Sequence, residues 1–172
     1  MIDTSILYTL AEIAVALAGF SAIIGVLSSR RDSADLKVNA LRLQVMLETC
    51  FMVAAAAIAP IIVDQFLPDS PYLWQISAFL FLCVAIPFEF VAMHRTRDMP
   101  KMKLTKFNVN TVNWALTLGA DLTLVAIFIG LVGAREQAFY SLALFAQLLL
   151  AGILFVQFAA DTFKHPDKLH ES

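Results

Sequence analysis

Five apolar runs, each close to the ~20 residues that carry a helix across a ~30 Å hydrocarbon core, constrain this chain more than any other feature. They span about 6–27, 43–63, 72–93, 109–133 and 138–158, with short polar breaks between them. Lipid offers backbone groups no hydrogen bonds, so segments of this kind satisfy themselves as helices. The expectation is an all-α integral membrane protein of five transmembrane helices: one transmembrane helical domain over 1–172, with 159–172 as a short cytoplasmic tail. Composition agrees, with 60% hydrophobic residues, 15% charged residues and a mean hydropathy of +0.78. A soluble domain carries roughly a quarter charged residues.

Charge placement gives the runs a direction. Eleven of the twelve Lys and Arg residues fall in the breaks after runs one and three or in the tail, and only Arg135 lies on the other side. By the positive-inside rule the N-terminus is outside and the C-terminus cytoplasmic, in a multi-pass protein of the cell's inner (plasma) membrane. Arg30, Arg31, Arg95, Arg97, Lys101 and Lys103 are placed to touch anionic lipid headgroups. The break over 28–42 is polar enough to form a short helix along the membrane surface. Basic residues shared among short loops do not make a nucleic-acid-binding surface, so no nucleic-acid partner is expected.

The first run carries Ala11, Ala14, Ala18, Ala22 and Gly25 at intervals of three or four. Small residues at that spacing let another backbone approach closely, which makes Ala14, Ala18, Ala22 and Gly25 the expected helix-packing positions. Ser21 reads as a further packing residue. Cys50 and Cys83 lie inside apolar runs without metal or redox spacing and read as buried small hydrophobes. Pro60 and Pro87 each remove a backbone donor from a predicted helix. Tyr72 and Trp74 open the third run as interfacial anchors, and Trp114 anchors the fourth. Runs four and five are joined by Ala134-Arg135-Glu136-Gln137, a tight hairpin.

Chemistry concentrates in acids. Glu12, Glu48, Glu89 and Asp121 each sit inside a different run, while no Lys or Arg does. Asn110, Asn113, Thr117 and Asp121 share one stripe of the fourth helix, and Gln147 is buried at about the depth of Asp121. By depth, Glu12 is outer, Asp121 central, and Glu48 and Glu89 inner. Each of the three glutamates has a structural reading beside the functional one. Glu12 can be an interfacial carboxyl, Glu48 a protonated or Arg-paired joint, and Glu89 a side chain snorkelling toward Arg95 from the bend at Pro87.

Two functions follow. In the first, the chain forms a homo-oligomeric cation or proton channel whose path is lined by Glu12, Glu48, Glu89, Asn110, Asn113, Thr117, Asp121 and Gln147. In the second, it is a non-conducting scaffold or accessory subunit in which buried acids serve helix packing. No enzyme is expected, because Gly19-Phe20-Ser21-Ala22-Ile23 is not a nucleophile elbow and no histidine lies within a run. No cofactor motif or specific metal site is expected either; His165 and His170 of the tail read as solvated.

Overall fold

The computed structural model describes residues 4–28, 33–97 and 109–163. Among them are five α-helices and no strand: α1 (Thr4–Ser28), α2 (Ser33–Phe66), α3 (Leu73–Arg97), α4 (Val109–Phe128) and α5 (Glu136–Phe163). Four hold segments long and apolar enough to cross a membrane, at Thr4–Val26, Leu43–Phe66, Leu73–Ala92 and Gly133–Ala160. The apolar part of α4 is shorter, Val112–Phe128.

Three boundaries differ from the sequence expectation. No separate surface helix occupies the first break, because α2 begins at Ser33 and runs without interruption through Phe66. The ten residues ahead of Leu43 therefore extend that helix by about 15 Å at ~1.5 Å per residue. The fourth helix stops at Phe128, short of 133. Gly130 turns the chain with φ +73, its N–H bonds the Ile127 carbonyl at 2.9 Å, and the Leu131 N–H bonds the Ala126 carbonyl at 2.9 Å. That pair of bonds is the Schellman arrangement, in which glycine adopts the left-handed conformation without a Cβ penalty. A 3-10 turn at Gly133–Arg135 then leads into α5, which begins at Glu136 inside the expected hairpin break. Between α2 and α3, Asp69 makes the corresponding sharp turn at φ 57.

The fifth helix is central: α5 packs on α1, α2, α3 and α4, while α2 packs on α1, α3 and α5. Eleven of the twenty-five buried apolar residues are alanine, and many large apolar residues, such as Phe20, Phe51, Leu122, Leu131 and Val156, face outward. An alanine-rich interior under an apolar outer surface departs from the soluble pattern. The arrangement fits a bundle solvated by lipid, where close backbone packing replaces the hydrophobic drive.

The seam of α1 runs through Leu7, Leu10, Ala11, Ala14, Ala18, Ser21 and Gly25. Its step is 14, 18, 21, 25, so Ala22 falls just past it and is exposed, contrary to its expected packing role. Ser21 Oγ bonds the Leu17 carbonyl at 2.5 Å and contacts Met46 Sδ at 3.4 Å. Cys50 is buried in the same seam, but Cys83 is exposed on the outer side of α3 with Phe79, Leu80 and Val84. At the start of α3, the half-buried Trp74 ring packs 5.5 Å from that of buried Tyr140, whereas Tyr72 is exposed.

Candidate functional site

Glu89, Asp121 and Gln147 come from α3, α4 and α5 and meet in one polar cluster. Antiparallel packing brings them together. The Phe79 and Phe128 rings stack at 5.3 Å near the start of α3 and the end of α4, so the two chains pass each other with Glu89 and Asp121 further along. The Glu89 and Asp121 carboxyls lie within hydrogen-bonding reach of each other, and the Gln147 amide lies within reach of Glu89. A hydrogen bond between two carboxyls requires a proton on one of them. The remaining oxygen, Asp121 Oδ1, is sealed from solvent and has no hydrogen-bond partner.

The sequence separates Glu89 from Asp121 by depth and favours Glu89 snorkelling to the inner surface; the structure pairs them. The polar stripe of α4 continues from this cluster toward the helix start. Thr117 and Asn113 follow Asp121 at intervals of four, both half-buried, and Asn113 Oδ1 is also sealed without a partner. Asn110 lies on the α4 backbone, with its side chain outside the described residues.

Glu12 and Glu48 are not part of this cluster. Glu12 is exposed on the outer face of α1. Glu48 is half-buried on α2 and accepts a 2.8 Å hydrogen bond from Gln44 Nε2, one helical turn earlier. The expected single file of four acids is therefore two separate acids and one pair within the subunit. None of the described acids is buried as a whole residue, since Glu48, Glu89 and Asp121 keep part of their surface and only Gln147, 4% exposed, is enclosed. The expectation of buried acids gives way to half-buried ones: Glu48, Glu89 and Asp121 lie within their helices, on faces that the neighbouring helices cover only in part.

Among the described residues no three His, Cys, Asp or Glu side chains converge to hold a metal ion. The headgroup candidates Arg30, Arg31, Lys101 and Lys103 lie outside the described residues, as do the side chains of Arg95 and Arg97. Sequence reasoning missed the Glu89–Asp121 pairing because it measured Glu89 from the nearest arginine. The usable signal was that both acids lie on consecutive antiparallel helices. No protein-family model, curated protein or solved structure matches the chain.

Proposed function

We propose that this is a proton- or cation-conducting membrane protein in which the Glu89–Asp121 pair, oriented by Gln147, is the relay. The carrying observation is that three different helices bring two carboxyls and an amide within hydrogen-bonding reach of one another. A pair sharing one proton can pass it on, or exchange it for a small cation, with little rearrangement. Asn113 and Thr117 supply polar groups along the approach. In this reading all five helices cross the inner membrane, with the N-terminus outside and the C-terminus cytoplasmic.

The working unit is a homo-oligomer joined through α1. Its outer face carries Ser5, Thr9, Glu12, Ala16 and Gly19, all exposed. A carboxyl facing lipid carries a desolvation cost, which a neighbouring copy removes by covering it. Purified protein in liposomes with a pH-sensitive dye tests the relay. Proton or cation flux is expected, falling by about tenfold or more in Asp121→Asn and Glu89→Gln. Flux unchanged in both variants ends the proposal.

A scaffold reading is favoured by one observation: the pair's bonds and the Tyr140 hydroxyl bond to Ala56 all tie neighbouring helices together. Under it, the wild-type protein carries no flux, and Asp121→Leu weakens assembly instead.

A further inference from the structure

Two prolines lie inside helices of the bundle, Pro60 in α2 and Pro87 in α3. Each deprives the carbonyl four residues earlier of its helical N–H. For Pro60 that carbonyl belongs to Ala56, and the buried Tyr140 hydroxyl supplies a donor at 2.8 Å. For Pro87 it belongs to Cys83, and both residues are exposed on the outer side of α3. No hydroxyl or amide side chain occurs from Phe79 to Pro87. Lipid offers a backbone carbonyl no donor, so this one calls for a group from outside the subunit.

Glu12 has the opposite need. It is exposed on the outer face of α1, three residues before the middle of the Thr4–Val26 span. Cys83 lies at the middle of the Leu73–Ala92 span, so both groups fall within about 5 Å of mid-span at ~1.5 Å per residue. A carboxyl that carries its proton donates a hydrogen bond, and lipid accepts none. One face holds a donor and the other an acceptor, at about one depth.

Shape matches in the same register. Seven residues after Glu12 comes Gly19, exposed, with nothing within 4 Å of an added Cβ. Seven residues after Cys83 comes Phe90, a large ring that is also exposed. Both α1 and α3 run antiparallel to α2, hence parallel to each other, and equal spacing on parallel helices lets both pairs meet at once. Within one subunit α1 packs on α2 and α5, and α3 on α2, α4 and α5, so these two outer faces do not cover each other.

We infer that α1 of one copy packs against α3 of the next, with Glu12 donating to the Cys83 carbonyl that Pro87 leaves without its helical donor, and with Phe90 seated over Gly19. The joint uses two different surfaces, so copies add head to tail until the assembly closes on itself. A joint of α1 on α1 would cover Glu12 but leave the Cys83 carbonyl facing lipid. This inference rests on the homo-oligomer proposed above and names the surface of the neighbour that α1 meets.

The test is disulfide crosslinking between copies, in full-length protein reconstituted into phosphatidylcholine–phosphatidylglycerol vesicles with copper–phenanthroline as oxidant. One variant, Glu12→Cys with Cys50→Ala, sets a new thiol opposite native Cys83. A second, Gly19→Cys with Phe90→Cys, Cys50→Ala and Cys83→Ala, leaves Glu12 in place. Each copy carries both halves of the joint, so a ladder of dimers, trimers and larger species is expected. Restoring the native residue at 90, or replacing Cys83 by alanine, should reduce its yield about tenfold or more, because a disulfide needs its two Cα atoms within about 7 Å. A ladder from either pair that depends on the α3 cysteine supports the joint. No ladder from either pair, or dimers that persist without the α3 cysteine, overturns it.

A second measurement counts copies per particle by photobleaching of fluorescently tagged protein in the same vesicles. Gly19→Leu fills the seat of Phe90 and should leave single copies, whereas Gly119→Leu, equally open on α4, should leave the count unchanged. Equal behaviour of the two variants counts against the joint. A ladder combined with flux indifferent to Asp121→Asn retires the relay and keeps the joint; acid-dependent flux without a ladder does the reverse.

Discussion

The Tyr140 hydroxyl donates a 2.8 Å hydrogen bond to the Ala56 carbonyl, joining α5 to α2 across 84 residues of sequence. Ala56 is four residues before Pro60, so its carbonyl is the one that loses its helical donor to the proline ring. The bond repairs a gap that α2 creates in itself. Tyr140 is fully buried.

That dependence predicts a non-additive pair. Tyr140→Phe strands a buried carbonyl and should destabilise the protein by about 1–3 kcal/mol. Pro60→Ala returns the helical N–H, so Tyr140→Phe in that background should cost under about 1 kcal/mol. Unfolding in mixed micelles, followed by circular dichroism across the four proteins of the cycle, measures the difference. Equal costs in both backgrounds would mean the hydroxyl is not replacing the missing donor.

Asp121 invites a contrast between an amide and an alkyl group. Asp121→Asn keeps groups able to bond Glu89, and its stability cost should stay below about 1 kcal/mol. Asp121→Leu leaves the Glu89 carboxyl short of a partner in a low-dielectric site and should cost about 1–3 kcal/mol. Micellar unfolding separates the two; the reverse order would remove the pair from the list of interhelical bonds.

Two glycines should respond oppositely to alanine. Gly130 holds φ +73, and a Cβ there would approach Gln75 Nε2 at 3.1 Å. Gly130→Ala is expected to cost about 1–2 kcal/mol from the left-handed backbone alone. Gly119 lies within α4, and nothing stands within 4 Å of an added Cβ. Gly119→Ala should be neutral or stabilise by up to about 1 kcal/mol, through the helix propensity of alanine. Melting temperatures in detergent distinguish the two.

The contact between Gly25 and Leu43 makes a fourth case. A Cβ on Gly25 would run into the Leu43 side chain, which lies over it from α2. Gly25→Val should therefore loosen the α1–α2 seam by about 1–3 kcal/mol, as overpacking does. Leu43→Ala in the same chain should recover a good part of that loss. Absence of any recovery would show that the valine acts on α1 alone.

The helical class and four helices long and apolar enough to cross a membrane were legible because they depend on local physics. Twenty apolar residues in a row leave the backbone no partner but itself, whatever surrounds them. The packing role of Ala14 and Ala18 was legible for a similar reason, since small side chains at intervals of three and four mark one helix face. The end of α4 carried its own mark in Gly130, which was read through because the apolar run continues past it to Val132.

The partners of the acids were another matter. Four carboxyls stood out in the sequence, yet which two would meet depended on helix neighbours and relative register, quantities spread over the whole chain. Only tertiary packing set Glu89 against Asp121 with Gln147 beside them, left Glu12 facing outward, and turned Tyr140 toward the carbonyl that Pro60 leaves unbonded. Hydropathy acts residue by residue and survives in a linear reading; a hydrogen bond between helices needs two atoms within about 3 Å, and only the folded bundle supplies that distance.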